Sequence, residues 1–460
     1  MNIFRTKLTP HSEEGTGLKR CLSAFDLVLL GIGAIIGAGI FVLTGIAAAT
    51  TAGPAIILSY ALAGVACSFA ALSYAELAAS IGGSGSAYGY AYAGLGEIVA
   101  WIIGWDLILE YGVGASAIAI GWSGYVNDAL LSIGLSIPSY LFKTYAEGGF
   151  VNLAAMLIVL VLSGILVIGV KQSVRFNMLI VFIKLTTIAI FIGAAIMDVQ
   201  PVNWTPFMPF GWVGIVEGAA LVFFAFIGFD AVSTAAEEAR NPQKDLSIGI
   251  MGSLGISTLI YIIVSGLLTG IASYTTLNTR SPVAEAILNL GHKVTADLIA
   301  VGAIAGLTSG ILIFLYGMTR IFYSMSKDGL LPFAFSSVHR KTHTPVKVII
   351  LNGLVMSLVA GFVPLREVAE LVNIGTLAAF VIVCISVIFL RYTKPNLPRP
   401  FKTPFSPLIP LLGILSCGYL MLNLPWITWV RFIVWMLLGL IVYILYGYSH
   451  SKISNVRVSK

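Results

Sequence analysis

Residues Gly31 to Phe41 read GIGAIIGAGIF, four glycines in eleven residues, inside an apolar run long enough to cross a bilayer. In lipid a backbone must satisfy its own hydrogen bonds, and glycine is among the residues that least favour the helix that would do so. Such a stretch is a packing face, a simple kink, or a deliberate interruption of the helix. A second apolar segment, FFAFIGFDAVSTAAEE from Phe223 to Glu238, is broken in the same manner by Gly228 followed by Asp230.

The rest of the chain gives these breaks their setting. Of 460 residues, 58% are hydrophobic and only 10% charged, where soluble domains carry roughly a quarter charged. The apolar residues fall in blocks of spanning length, so the reading is an all-α polytopic membrane protein. Residues 1–25 contain no apolar core of a signal peptide and read as a short cytoplasmic tail. Cys21, Cys67, Cys384 and Cys417 show no paired spacing, which gives no reason to expect a metal site, a cofactor or a disulfide framework. The net charge of +6 is spread between spans rather than gathered in a run, so it argues for topology and against a nucleic-acid partner.

Apolar blocks bounded by charge, Pro or Gly give twelve expected helices, at 26–50, 54–79, 97–126, 151–170, 174–197, 212–239, 246–272, 296–325, 346–362, 367–391, 407–424 and 428–448. Alternating them from a cytoplasmic N-terminus puts 20 of the 26 Lys and Arg residues on the cytoplasmic side and 5 on the other. This bias supports the count, with both termini inside. The broken segments then lie in the first and sixth helices, each leading a five-helix half, 26–197 and 212–391, with 407–448 as two further helices and 449–460 as a cytoplasmic tail. Five is odd, so the halves run in opposite senses. Glycine-interrupted segments at matching places in two such halves point to a transport site between them.

The chemistry follows from unmade hydrogen bonds. Where helix one unwinds around Gly37, Ala38 and Gly39, the second half-helix begins with free N–H groups and a positive dipole end, suited to a carboxylate. The first half-helices end in open carbonyls near Ile35 and near Phe224 to Ile227, suited to an ammonium. A zwitterionic amino acid fits both. Phe224 is the aromatic nearest those carbonyls and a candidate lid.

Lys184 lies about ten residues, or about 15 Å, into the fifth helix. Insertion of a lysine at that depth costs roughly 2.5–3.5 kcal/mol, so it is expected to face the bundle. Either it braces the break in helix one, or its ammonium stands in for a metal cation there and its protonation is coupled to transport. Asp230 is a helix cap, a coupling group, or both. Asp106 and Glu110 share a face of helix three, and Glu110, the deeper, faces the pathway or pairs with a neighbour. Glu237, Glu238, Arg240, Lys244 and Asp245 read as a solvated cluster or gate. Gly302, Gly306 and Gly310 read as a helix-packing stripe. His339 and His343 read as loop histidines, and the chain has neither H-E-x-x-H nor G-x-S-x-G, which argues against an enzyme.

GIGAIIGAGIF, FFAFIGFDAVSTAAEEARNPQKDLSIGI and GMTRIFYSMSKDGLLP together resemble the amino acid–polyamine–organocation superfamily, specifically its cationic amino acid transporter branch with its bacterial members. The resemblance covers essentially the whole chain. It implies a LeuT-like fold of two inverted five-helix repeats plus two helices, working by alternating access in the plasma membrane. It implies that Gly37, Ala38 and Gly39 hold a substrate carboxylate, and that Ile35, Phe224, Ala225 and Ile227 hold its amine. Relatives often place a hydroxyl residue where this chain has Ala38, so affinity there rests on backbone N–H groups. A lysine at the position of Lys184 implies coupling to protons rather than sodium. Cationic and small neutral L-amino acids both remain open as substrates, and a channel, an exchanger or a non-transporting sensor are the competing readings.

Overall fold

The computed structural model describes residues 22–81, 87–169, 174–230, 232, 239–340, 342 and 344–452. Cys21, Lys171, Glu237, Glu238, His343, most of the expected N-terminal tail and most of the C-terminal one lie outside these. The described residues are helical, with isolated bridges as their only extended pairings.

The first helix, α1 (Ala24–Ile35), opens on a capping box: the Ser23 hydroxyl accepts from the Asp26 N–H, and the Asp26 carboxylate accepts from the Ser23 N–H. It ends where Ile36 turns extended, with ψ of 110°. Helical structure resumes as a π-turn, Gly39–Leu43, then α2 (Thr44–Ala47), then a second π-turn, Ala48–Ala52. Widened turns of this kind gather at functional sites. Gly53, at φ +63°, reverses the chain against Pro209, where a side chain would find no room. The first half continues through α3 (Ile56–Ile81), α4 (Ala87–Gly94), α5 (Glu97–Ser132), α6 (Leu153–Ile168) and α7 (Val174–Ala195).

The second half begins with α8 (Gly211–Val222), which tightens into a 3-10 turn, Phe223–Phe226, and stops where Ile227 turns extended and Gly228 takes φ +111°. There follow α9 (Pro242–Ile271), α10 (Pro282–Asn289), α11 (Lys293–Lys327), α12 (Val346–Phe362) and α13 (Leu365–Thr393), then α14 (Leu408–Leu422), α15 (Trp426–Val442) and α16 (Tyr448–His450). Among the described residues, seven helical stretches are long and apolar enough to cross a membrane, and five shorter apolar helices accompany them. The short α4 and α10 lie between the expected spans and were not anticipated as helices.

At the centre α5 packs along α11. Around them α1 lies on α9 and α7, α8 on α3 and α13, α6 on α12, and α3 on α9. The outer α15 leaves Ile433, Val434, Leu437, Leu438 and Ile441 exposed, the pattern of a helix facing lipid. It is pinned by Trp105 and Trp435, whose rings stack at 4.7 Å while each indole N–H donates to the other residue's carbonyl. At one end of α3, buried Glu76 accepts two bonds from Arg391 and one from the Thr403 N–H, tying α3 to α13 and the segment after it.

Candidate functional site

The two interruptions face one another at the middle of the bundle. A Cβ at Gly39 would run into the backbone of Ala225, and one at Gly228 would stand 2.9 Å from the Ala34 carbonyl oxygen. Each break therefore needs a glycine to admit the backbone of the other. Gly37 differs, because a Cβ there would meet nothing within 4 Å.

The last carbonyls of a helix have no partner within it, and following them here identifies the site. At the end of α1, Ile32 O accepts from the Ile36 N–H. Gly33 O and Ile36 O accept from the Lys184 ammonium at 2.7 and 2.8 Å, and Ile35 O lies 2.9 Å from the Tyr261 hydroxyl. At the end of α8, Ala219 O accepts from the Phe223 N–H. Ala220 O and Leu221 O accept from the Asn373 amide at 2.8 and 2.9 Å, Phe224 O from the Ile227 N–H at 3.3 Å, and Ala225 O from Tyr261 at 2.7 Å. Tyr261, on α9, thus spans both breaks with a single hydroxyl.

Lys184 is 1% exposed and bonds to carbonyls rather than to a carboxylate. Its stem has room because Gly306 is a glycine: a Cβ there would stand 2.9 Å from the lysine Cγ. Gly302 makes the same allowance for Thr187, whereas a Cβ at Gly310 would meet Ile118 only at ordinary contact distance. The stripe on α11 is therefore a packing face, and what it packs around is Lys184.

Of the other residues singled out in the sequence, Ala38 is buried beside Gly121. Gly39 O accepts from Tyr60 at 3.1 Å and from Thr44 at 3.2 Å. Phe224 and Ile227 are buried at the helix-eight end. Asp230 accepts from the Tyr111 hydroxyl at 3.4 Å, and Glu110 is buried on α5, with Asp106 one turn away and its Oδ1 without a partner. The structure brings Lys184, Ile35, Ala225 and Gly39 into one constellation, whereas Asp230 is bonded to Tyr111 and Glu110 faces Thr376. Tyr60, Tyr261 and Asn373 were missed. Each is a polar side chain in an apolar run, and such residues face the bundle interior.

One helical turn beyond Ala38 lies a cavity of about 340 Å³, with Val42, Ile46 and Ile120 on its apolar side. Its polar side carries Lys143 and the ion pair of Arg280 with Glu147, N to O 2.9 Å. Gly121, also in its lining, lies against Val42 and Ala38.

Comparison with known proteins gives a family model for amino acid permeases matching residues 22–446. The chain is 49% identical, over 99% of both lengths, to the branched-chain amino acid permease BcaP of Bacillus subtilis. It is 47% identical to the methylthioribose transporter of the same organism, over 99% of this chain and 100% of the relative. To the vacuolar cationic amino acid transporter 4 of Arabidopsis thaliana it is 31% identical, over 95% and 93% of the two lengths.

Proposed function

Because the chain belongs to the amino acid permease family and is a transporter rather than an enzyme, we propose that it takes up neutral L-amino acids with apolar side chains by proton symport through the paired helix breaks. The carrying observation is the pair of facing interruptions, whose peptide groups are bonded by side chains instead of by their own helices. A carbonyl has two lone pairs, so Ile35 O and Ala225 O, which share the one proton of the Tyr261 hydroxyl, each retain a lone pair for a substrate ammonium. The N–H groups from Gly37 to Gly39 start the second half-helix beside the open space at Gly37 and receive the carboxylate. Phe224 and Ile227 supply apolar surface for the substrate side chain. The first of the relatives named above, a branched-chain permease, favours the neutral class over the cationic one.

What supports two inverted repeats is the pattern of helix contacts. Exchange α1 with α8, α3 with α9, α5 with α11, α6 with α12 and α7 with α13. The contact of α1 with α9 becomes that of α8 with α3, the contact of α5 with α13 becomes that of α11 with α7, and that of α1 with α7 becomes that of α8 with α13; all are present. A twofold relation between halves of odd helix number, with twelve spans and both termini cytoplasmic in the plasma membrane, accounts for this pattern and for the bias of Lys and Arg. Alternating access then consists of movement about the breaks that the halves share.

Coupling is assigned to Lys184. Charged, it holds Gly33 O and Ile36 O; on losing its proton it releases the cation–carbonyl attraction that fixes the end of α1. Glu110 and Asp230, both buried, are assigned to the same coupling role.

Uptake of labelled L-leucine into proteoliposomes, with and without an inward proton gradient, tests the reading. L-leucine, L-valine and L-isoleucine are expected to compete, L-lysine to compete weakly, and the gradient to drive accumulation. Uptake of labelled methylthioribose with none of labelled L-leucine would move the substrate to that of the second relative. Lys184→Met and Lys184→Ala are expected to lose gradient-driven uptake by more than about tenfold, each removing a charge-assisted pair of bonds worth about 1.5–3 kcal/mol apiece. Undiminished uptake that still follows pH in these variants would end the coupling role.

A further inference from the structure

The two first half-helices end alike but are held by different chemistry. Lys184 on α7 donates to two carbonyls at the end of α1, and Asn373 on α13 donates to two carbonyls at the end of α8. Under the exchange of halves described above, α7 becomes α13 and α1 becomes α8, so the two side chains lie on corresponding helices, Asn373 holding two of the last α-helical carbonyls before the 3-10 turn that leads to the break. Both are buried, Asn373 at 0% exposure and Lys184 at 1%. Both amide hydrogens of Asn373 are used, and its orientation is fixed by their acceptors, since the flipped amide would set its oxygen against two carbonyl oxygens. The amide oxygen accepts from none of the described residues.

We propose that Asn373 is the positioning residue of the α8 break, and that it holds this break without a titratable group so that protonation releases only the α1 break. A lysine offers a charge that a proton can remove; an asparagine offers the same pair of donors with no such switch. One half-helix is then free to move with the proton while the other keeps the carbonyl of Ala225 in place.

Titratable groups also approach Asn373 from its surroundings. Asp106 and Glu110 face α13 from α5, with Asp106 against Gly375. Tyr74 and Glu76 come from α3, Glu76 being bonded to Arg391, and Glu370 on the same helix as Asn373 is bonded to Arg366 and Thr428. Arg431 from α15 is paired with Glu367. These groups are common to every variant, so the ratio of variant to wild-type uptake isolates position 373.

The inference rests on the transport reading, and the experiment separates the two. Uptake of L-leucine is measured across about pH 5–8, where a carboxyl introduced at a buried place titrates. Asn373→Asp donates one bond when protonated and repels both carbonyls when ionised, so its ratio to wild type is expected to fall at least fivefold as pH rises. Asn373→Ser, with one donor and no charge, is expected to give an intermediate ratio that is flat with pH, and Asn373→Ala a lower flat one. A flat Asn373→Asp ratio, or equal uptake by the Ser and Ala variants, overturns the assignment while leaving wild-type transport intact. Absence of L-leucine uptake by the wild type at every pH overturns the transport reading first, and this inference with it.

Discussion

Tyr261 shows what a single hydroxyl does at the junction of two broken helices. Its oxygen lies within hydrogen-bonding distance of Ile35 O and Ala225 O, and its ring packs against Tyr60 and Phe226 at centroid distances of 5.2 and 5.3 Å. The ring is therefore fixed by packing and the hydroxyl has little freedom to leave. Tyr261→Phe keeps the packing and removes one neutral hydrogen bond, worth about 0.5–1.5 kcal/mol. The expected result is L-leucine binding weakened by about 2- to 10-fold with little loss of thermal stability. Affinity equal to wild type in an equilibrium binding assay would show that the two carbonyls need no alignment by Tyr261. Lys184 is the more demanding case, because insertion of its charge at mid-depth is unfavourable by about 2.5–3.5 kcal/mol, and only carbonyls left open by a broken helix offset this.

At the scale of elements, the glycines of GIGAIIGAGIF divide by what lies beside them. Gly39 is filled against Ala225, whereas Gly37 borders open space. Gly39→Ala is expected to lower the melting temperature and abolish uptake together, since two backbones must separate to admit the methyl group. Gly37→Ala is expected to leave the melting temperature near that of wild type and to lose most uptake, because the methyl group enters the volume assigned to the carboxylate. Thermal unfolding and L-leucine uptake on the same preparations distinguish the pair; uptake by Gly37→Ala at the wild-type level would remove the carboxylate from this place. Gly228 belongs with Gly39, at φ +111° and against the Ala34 carbonyl, where a side chain adds strain of about 1–3 kcal/mol before any clash.

For the whole molecule, the test is sidedness. Tyr145 and Tyr392 are exposed at 82% and 77% and lie in connections that the charge bias assigns to opposite faces, while Cys67, Cys384 and Cys417 are buried and Cys21 is replaced by serine to remove its background. In intact cells a membrane-impermeant maleimide is expected to label Tyr145→Cys and to spare Tyr392→Cys until the membrane is opened. Equal labelling of both in intact cells would contradict an even number of crossings between a cytoplasmic N-terminus and residue 392 as drawn. Two of the molecule's buried charges are tied in different ways, Glu76 to Arg391 and Lys184 to the backbone of α1.

Hydropathy and charge in the sequence determined the helical class, the placing of the apolar blocks and the two points of interruption, because lipid enforces a length and a backbone rule on every span taken singly. Glycine and Asp230 marked the broken segments for the same local reason. Only the tertiary structure decided which side chains complete those breaks. Nothing in the spacing of Tyr261, Asn373 or Gly306 says that they meet Ile35, Leu221 and Lys184, since these contacts join helices far apart in sequence. An unpaired carbonyl takes whichever donor the packing of its neighbours brings within about 3 Å, and that packing is a property of the bundle as a whole.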